Sequence, residues 1–277
     1  MVGLLSQSGL VLGGDSVDSE GAGKVLGVEG AEKLYQDGLV WLKSMDYAKA
    51  YPAFETAVKS GHSKARGALG FMILQGLGCS KDESAALVLI REAAGDGVVS
   101  AQVNLAGMLM KGQGGARDIP AALSWYEKAA GQGSADARLR LVDIHYFGQD
   151  GIAADHGKAL PHVKVLAGAG NAKAQNILGS MFEHGQAVDT SRKDAVTWYR
   201  EAAIQGEAKA QSNLGRMIRT GHVDERGLIE ACQWLTLSAD QGETTAIVML
   251  EDINPSLTAG QKYEVEERVR EYRKTFE

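Results

Sequence analysis

The chain has 277 residues, with 35 Gly against 4 Pro, 44% hydrophobic and 23% charged residues, and a net charge of −6. That hydrophobic content excludes an intrinsically disordered chain, and glycine without abundant proline excludes collagen. The acidic balance gives no general attraction for phosphate backbones, and no run of 18 or more apolar residues is present to span a bilayer.

In chain order, residues 1–30 read as a flexible Gly/Ser/Val-rich tail. Its first basic residue is Lys24, so it lacks the positive start of a secretory leader. Residues 31–64 carry Gly38, Trp41, Tyr47, Ala50, Phe54 and Ala57 at spacings that suit a helix pair. A repeat then begins. Ala65, Ala101, Ala137, Ala174, Ala210 and Ala246 are separated by 36, 36, 37, 36 and 36 residues. Leu69, Leu105, Leu141, Leu178 and Leu214 follow four residues after the first five. Gly76, Gly112, Gly148, Gly185 and Gly221 follow eleven residues after them, and Gly97, Gly133, Gly170, Gly206 and Gly242 precede each next start.

Each repeat is expected to fold as two helices. The first ends at its glycine, which takes the left-handed conformation cheaply. The second is capped by Asp82, Asp118, Asp155 or Ser191, whose side-chain oxygens satisfy free backbone N–H groups. Its apolar face is clear in Ala122, Trp125, Tyr126, Ala129 and Ala130. Pro52 and Pro161 fall inside second helices and are expected to kink them. The repeat from Ala137 has an extra residue and His162 near the Trp position, so a bend or loosening is expected there. Over 247–277, Thr258 and Gln261 suggest a capping box, and Val265, Val269, Tyr272 and Phe276 share one face. That reads as a terminal helix covering the last apolar surface of a stacked array.

The column set Ala-x3-Leu-Gly, Gly, Asp, Ala-x2-Trp-Tyr, Ala-Ala, Gly resembles the Sel-one-like repeat family, a branch of the tetratricopeptide-like superfamily. Five such repeats cover 65–246, and residues 31–64 resemble one tetratricopeptide repeat. The resemblance implies an all-α fold, a right-handed α-solenoid of about six helix-turn-helix repeats with first helices lining the concave face. It also implies adaptor roles in bacterial signalling, envelope assembly or host contact, and it carries over no catalytic residue. Cysteine-rich relatives hold a disulfide in each repeat; Cys79 and Cys232 lie 153 residues apart and form no such framework.

No His-Glu-x-x-His, Cys-x-x-Cys, Gly-x-Ser-x-Gly or Ser-x-x-Lys motif occurs. The six histidines (His62, His145, His156, His162, His184, His222) are scattered over different repeats, so no metal or cofactor is expected. The Trp column recurs with the repeat and reads as packing. Function should therefore reside where the repeat does not dictate identity. The candidate groove residues are Tyr35, Leu39, Leu42, Phe71, Leu74, Val103 and Met110 at the N-terminal end. They continue as Asp143, Tyr146, Phe147, Asn176, Glu183, His184, Arg216 and Arg219. The expected function is a non-enzymatic scaffold binding a partner protein or peptide there. A cell-wall or glycan-binding module and a hydrolase are the alternatives, and several groove residues could instead simply pack between first helices. Reduced cysteines suit a cytoplasmic location, with a periplasmic or secreted one if a leader was removed.

Overall fold

The computed structural model of the protein describes residues 26–221 and 225–275. The tail expected over 1–30 falls largely outside them, as do His222 and Phe276, while Val28–Gly30 already form the first turn of a helix. Among the described residues there are fourteen α-helices and no strand. The first helices are α1 (Val28–Lys43), α3 (Ser63–Gln75), α5 (Val99–Lys111), α7 (Ala135–Phe147), α9 (Ala172–His184), α11 (Ala208–Gly221) and α13 (Thr244–Ile253). Between them run the second helices α2 (Tyr47–Lys59), α4 (Glu83–Gly95), α6 (Ile119–Gly131), α8 (His156–Gly168), α10 (Arg192–Ile204) and α12 (Glu225–Ala239). A 3-10 turn at Asn254–Ser256 leads to α14 (Ala259–Lys274). The fold is an α-solenoid of helix-turn-helix repeats. It divides into two compact units, residues 1–137 and 138–277, at the start of the irregular repeat.

The closing glycines do more than turn the chain. Gly97 has φ +87°; its N–H reaches the Ala94 carbonyl at 3.1 Å, and the Val98 N–H reaches Ala93 at 3.0 Å. That crossed pair satisfies two orphan carbonyls at the end of α4. The same pair recurs around Gly61, Gly133, Gly170, Gly206 and Gly242. At four of these six junctions the side chain of the next residue then caps the following helix, while Val98 and Glu243 make no such bond; in each case two helices meet with almost no loop. His62 Nδ1, Ser134 Oγ and Asn171 Oδ1 accept from Ala65, Ala137 and Ala174 N–H at 3.0, 3.2 and 2.9 Å, and the Glu207 carboxylate accepts from Ala210 N–H.

Within repeats, Gly76, Gly112, Gly148 and Gly185 end first helices at φ +71°, +70°, +72° and +68°. Gly221 departs from the column: it is helical, the last residue of α11, and is not among the left-handed glycines. Asp82, Asp118, Asp155 and Ser191 each accept a backbone N–H, as their position required. Pro52 and Pro161 sit within α2 and α8, and both helices continue past them.

Alanine and leucine columns make the core. Ala65, Ala101, Ala137, Ala174 and Ala210 are buried, and so are Leu69, Leu105, Leu141, Leu178 and Leu214. Each such leucine contributes roughly 1.5–3 kcal/mol by leaving water. Trp234 is buried and Trp198 packs on the core, while Trp125 is half-buried with the Lys128 ammonium 4.0 Å above its ring.

A glutamine network that the sequence reading passed over ties three helices at a time. Gln102 of α5 donates to the Ala94 carbonyl of α4 at 3.3 Å and accepts from Gln132, just past α6, at 2.8 Å. Gln175 repeats this with Ala167 and Gln205, and Gln211 with Ala203 and Gln241. At the equivalent place in α3 stands Arg66, bonded to Asp96 at 2.7 Å. A buried amide left without partners would cost about 1–3 kcal/mol, so these pairs must form together.

Two residues after the first-helix glycine, the loop again needs positive φ. Gly78 and Gly114 supply it at +73° and +74°, but Asp150 and Ala187 hold +60° with side chains attached. Ala187→Gly should therefore stabilise the protein by up to about 1 kcal/mol, read as a raised urea midpoint. Gly95 and Gly97 both have open space where a Cβ would go, and only Gly97 is left-handed. Gly97→Ala should cost about 1 kcal/mol and Gly95→Ala should cost nothing; equal effects would show that the crossed cap is unimportant.

Candidate functional site

The candidate residues fall on first helices in both compact units. In the unit of residues 1–137, Tyr35, Leu39 and Leu42 of α1 are half-buried and pack on the core cluster around Phe54 and Leu69. Phe71 and Val103 are half-buried, whereas Leu74 and Met110 are buried and offer no surface to a partner. Their faces turn inward because α4 and α6 lie against α3 and α5. Tyr35 stacks on the His62 ring, 4.7 Å between centroids, and His62 Nε2 lies 2.8 Å from Glu32. This face is apolar and mostly filled by its own packing.

In the unit of residues 138–277 the same face is a polar ladder between successive first helices. Lys173 of α9 bonds Asp143 of α7 at 2.8 Å. The Tyr146 hydroxyl lies 3.1 Å from Ser180 Oγ and 3.2 Å from Gln186 Oε1. Asn213 of α11 donates to Asn176 of α9 at 3.0 Å. Arg219 pairs with Asp252 of α13. His184 Nδ1 is 2.9 Å from the Ser180 carbonyl.

The centre of that ladder is Glu183. One of its carboxylate oxygens accepts from Arg216 at 2.7 Å and from the Tyr199 hydroxyl at 2.8 Å. Tyr199 comes from α10 and reaches it by lying over Gly179, where a Cβ would stand 2.7 Å from the ring. Burial works to raise the Glu183 pKa, but the Arg216 and Tyr199 hydrogen bonds outweigh it and hold the carboxyl below its ordinary value. Burial, with Glu183 beside it, pushes the Tyr199 phenol far up. The Glu183 hydrogen bond raises Arg216 further against the opposing pull of burial. Such a trio is a locked structural contact: the phenol stays protonated and the carboxylate stays charged, so neither is poised to exchange a proton at neutral pH.

One residue on this face serves no such contact. Phe147 is 52% exposed, in T-shaped contact with Tyr146 at 4.9 Å, with Lys173 5.7 Å above its ring. The four equivalent positions in the other full repeats hold Gln75, Lys111, His184 and Thr220. The column comparison alone could have singled it out. No group of three or more His, Cys, Asp or Glu that could hold a metal is found among the described residues. None of their helices is long and apolar enough to cross a membrane.

A profile of the Sel1 repeat matches residues 63–98, 99–134, 172–207 and 208–243, together just over half of the chain. The unmatched gap is the irregular repeat containing Pro161 and His162. Among solved structures, a Sel1 repeat protein from Oxalobacter formigenes is 24% identical, with a TM-score of 0.66 over 85% of this chain and 96% of its own. A protective antigen from uropathogenic Escherichia coli strains, displaying an SLR fold, is also 24% identical. Its TM-score is 0.56, over 87% of this chain and 60% of its own. Comparison with curated proteins finds no match.

Glu183 gives a pH test. With a folded pKa below the ordinary 4.5, its contribution is complete above that value and is lost as pH falls through the folded pKa. The unfolding midpoint of the protein should thus fall more steeply as the pH drops below 4.5 than that of Glu183→Gln. Parallel acid limbs would remove the role assigned to this carboxylate.

Proposed function

The chain belongs to the Sel1 repeat family, and from that premise we propose a non-enzymatic scaffold that holds a partner protein or peptide on its first-helix faces, within a bacterial signalling or envelope-assembly complex. Sel1 repeat proteins generally mediate protein–protein interaction. The observation that carries the reading for this chain is Phe147. An aromatic left half in water, at a position where the repeat elsewhere puts polar side chains, costs solubility and contributes little to the fold. Aromatic side chains of this kind are the usual anchors of protein interfaces. Around it, the charges of the face are already paired, so the partner's contribution there is apolar contact and hydrogen bonding rather than charge.

The alternatives find less support. A glycan module needs several free aromatic faces, and with Tyr35 covered by His62 and the Tyr146 ring against Phe147, the aromatic groove candidate left exposed is Phe147. A hydrolase needs poised groups, and the convergent trio at Glu183 is locked.

The test begins with affinity capture from the source organism, followed by calorimetric titration of whatever protein is retained. Phe147→Ala should lower affinity tenfold or more with the melting temperature unchanged. Val165→Ala, an equally exposed site on α8, should change nothing. Equal affinity in both variants, or recovery of wall fragments alone, would overturn the reading.

A further inference from the structure

Helix α8 is held in place by less than its counterparts are. Eight residues after each column alanine, the other full repeats carry Ile73, Leu109, Phe182 and Ile218; the repeat of α7 and α8 carries His145, and buries it. Three residues after each second-helix alanine stand Leu89, Trp125, Trp198 and Trp234; after Ala159 stands His162, buried as well. An imidazole gains less on leaving water than an aliphatic or indole side chain, because its ring nitrogens must be desolvated too.

The backbone of α8 is weaker for the same length. Pro161 has no N–H to give to the Gly157 carbonyl, and its ring crowds the preceding turn. Val88, Ser124, Thr197 and Gln233 hold that position in the other full repeats, each with its N–H. Gly157 lowers helix propensity further in the first turn. In the loop before it, Asp150 takes φ +60° where the two preceding repeats have Gly78 and Gly114.

A tie is missing at the other end. Just past each other second helix, a side chain reaches back to the first helix of its own repeat. Asp96 bonds Arg66, Gln132 bonds Gln102, Gln205 bonds Gln175 and Gln241 bonds Gln211. Arg138 stands in α7 where Arg66 stands in α3, but the place of Asp96 is taken by Ala169, whose methyl can accept nothing. What remains is the Asp155 cap, the Gln175 amide on the Ala167 carbonyl, and the apolar contacts of Ala159, Val163, Leu166 and Ala167.

We propose that α8 is an opening element built into the array: it lifts from α7 and α9 as a unit, many times more often than α4, α6 or α10 leave their own neighbours. Repeats that contact only adjacent repeats can open singly, and the unit with the weakest internal and neighbour contacts opens first. The array thereby has one interior place that yields while its flanks stay folded. This stands apart from the partner-binding reading and does not depend on it.

Hydrogen exchange of the full chain, followed by mass spectrometry at peptide resolution, tests it. The slowest amides of α8 should exchange about tenfold or more faster than the slowest of α6 and α10, after correction for intrinsic rates. Two exposed sites allow repair. Ala169→Asp sets against Arg138 the partner that Arg66 has in Asp96, and Pro161→Ala restores the backbone bond. Each should slow α8 by about threefold or more, leave α4 and α10 unchanged, and not lower the melting temperature. Protection of α8 equal to that of α6 and α10 would overturn the proposal. So would a repair that slows every helix alike, fails to slow α8 or lowers the melting temperature.

Discussion

The structure depends on one constraint: a second helix must end and the next first helix begin within two or three residues, with no carbonyl left unsatisfied. A left-handed glycine solves this at Gly61, Gly97, Gly133, Gly170, Gly206 and Gly242. The crossed bonds close the old helix, and after Gly61, Gly133, Gly170 and Gly206 the following residue's side chain caps the new one. The angle between successive helices is thereby set by backbone geometry. The side chains then only need to fill a space of repeating shape, which Ala and Leu do.

Buried glutamines add a second layer to the same junction. The Ala94 carbonyl accepts both the Gly97 N–H and the Gln102 amide, so cap and core share one acceptor. Gln132 then locks Gln102 from the following helix. Each glutamine thus links three helices, which makes a repeat sensitive to its neighbours. Where Arg66 and Asp96 replace the amide pair, the same geometry is kept with a charged contact. The family profile fails over the repeat that carries Pro161, an extra residue and His162, the one whose sequence columns are most disturbed.

Function and scaffold can be separated by this logic. Positions fixed by the repeat are consumed by packing, including the Trp column. The first-helix faces are free to vary, and they vary in kind: apolar and half-filled around Phe71, cross-bonded around Glu183. Phe147 is one of several exposed apolar side chains among the described residues. It arises from a departure from the repeat, an aromatic where the other full repeats carry polar residues.

The sequence by itself determined the fold class, the period, the helix starts at Asp82, Asp118, Asp155 and Ser191, and the capping box at Thr258. These are local matters, governed by the backbone groups within one turn of the residue concerned. Tertiary structure alone decided which groove candidates are open. Leu74 and Met110 share the first-helix face pattern of Phe71, yet they are buried, because exposure depends on a neighbouring helix that periodicity does not locate. It also decided that Gly221 stays helical, that Glu183 gathers Tyr199 and Arg216 from two other helices, and that α14 lies on α12. Each of these joins residues from different helices through side-chain reach and packing, and a one-dimensional pattern carries no record of that.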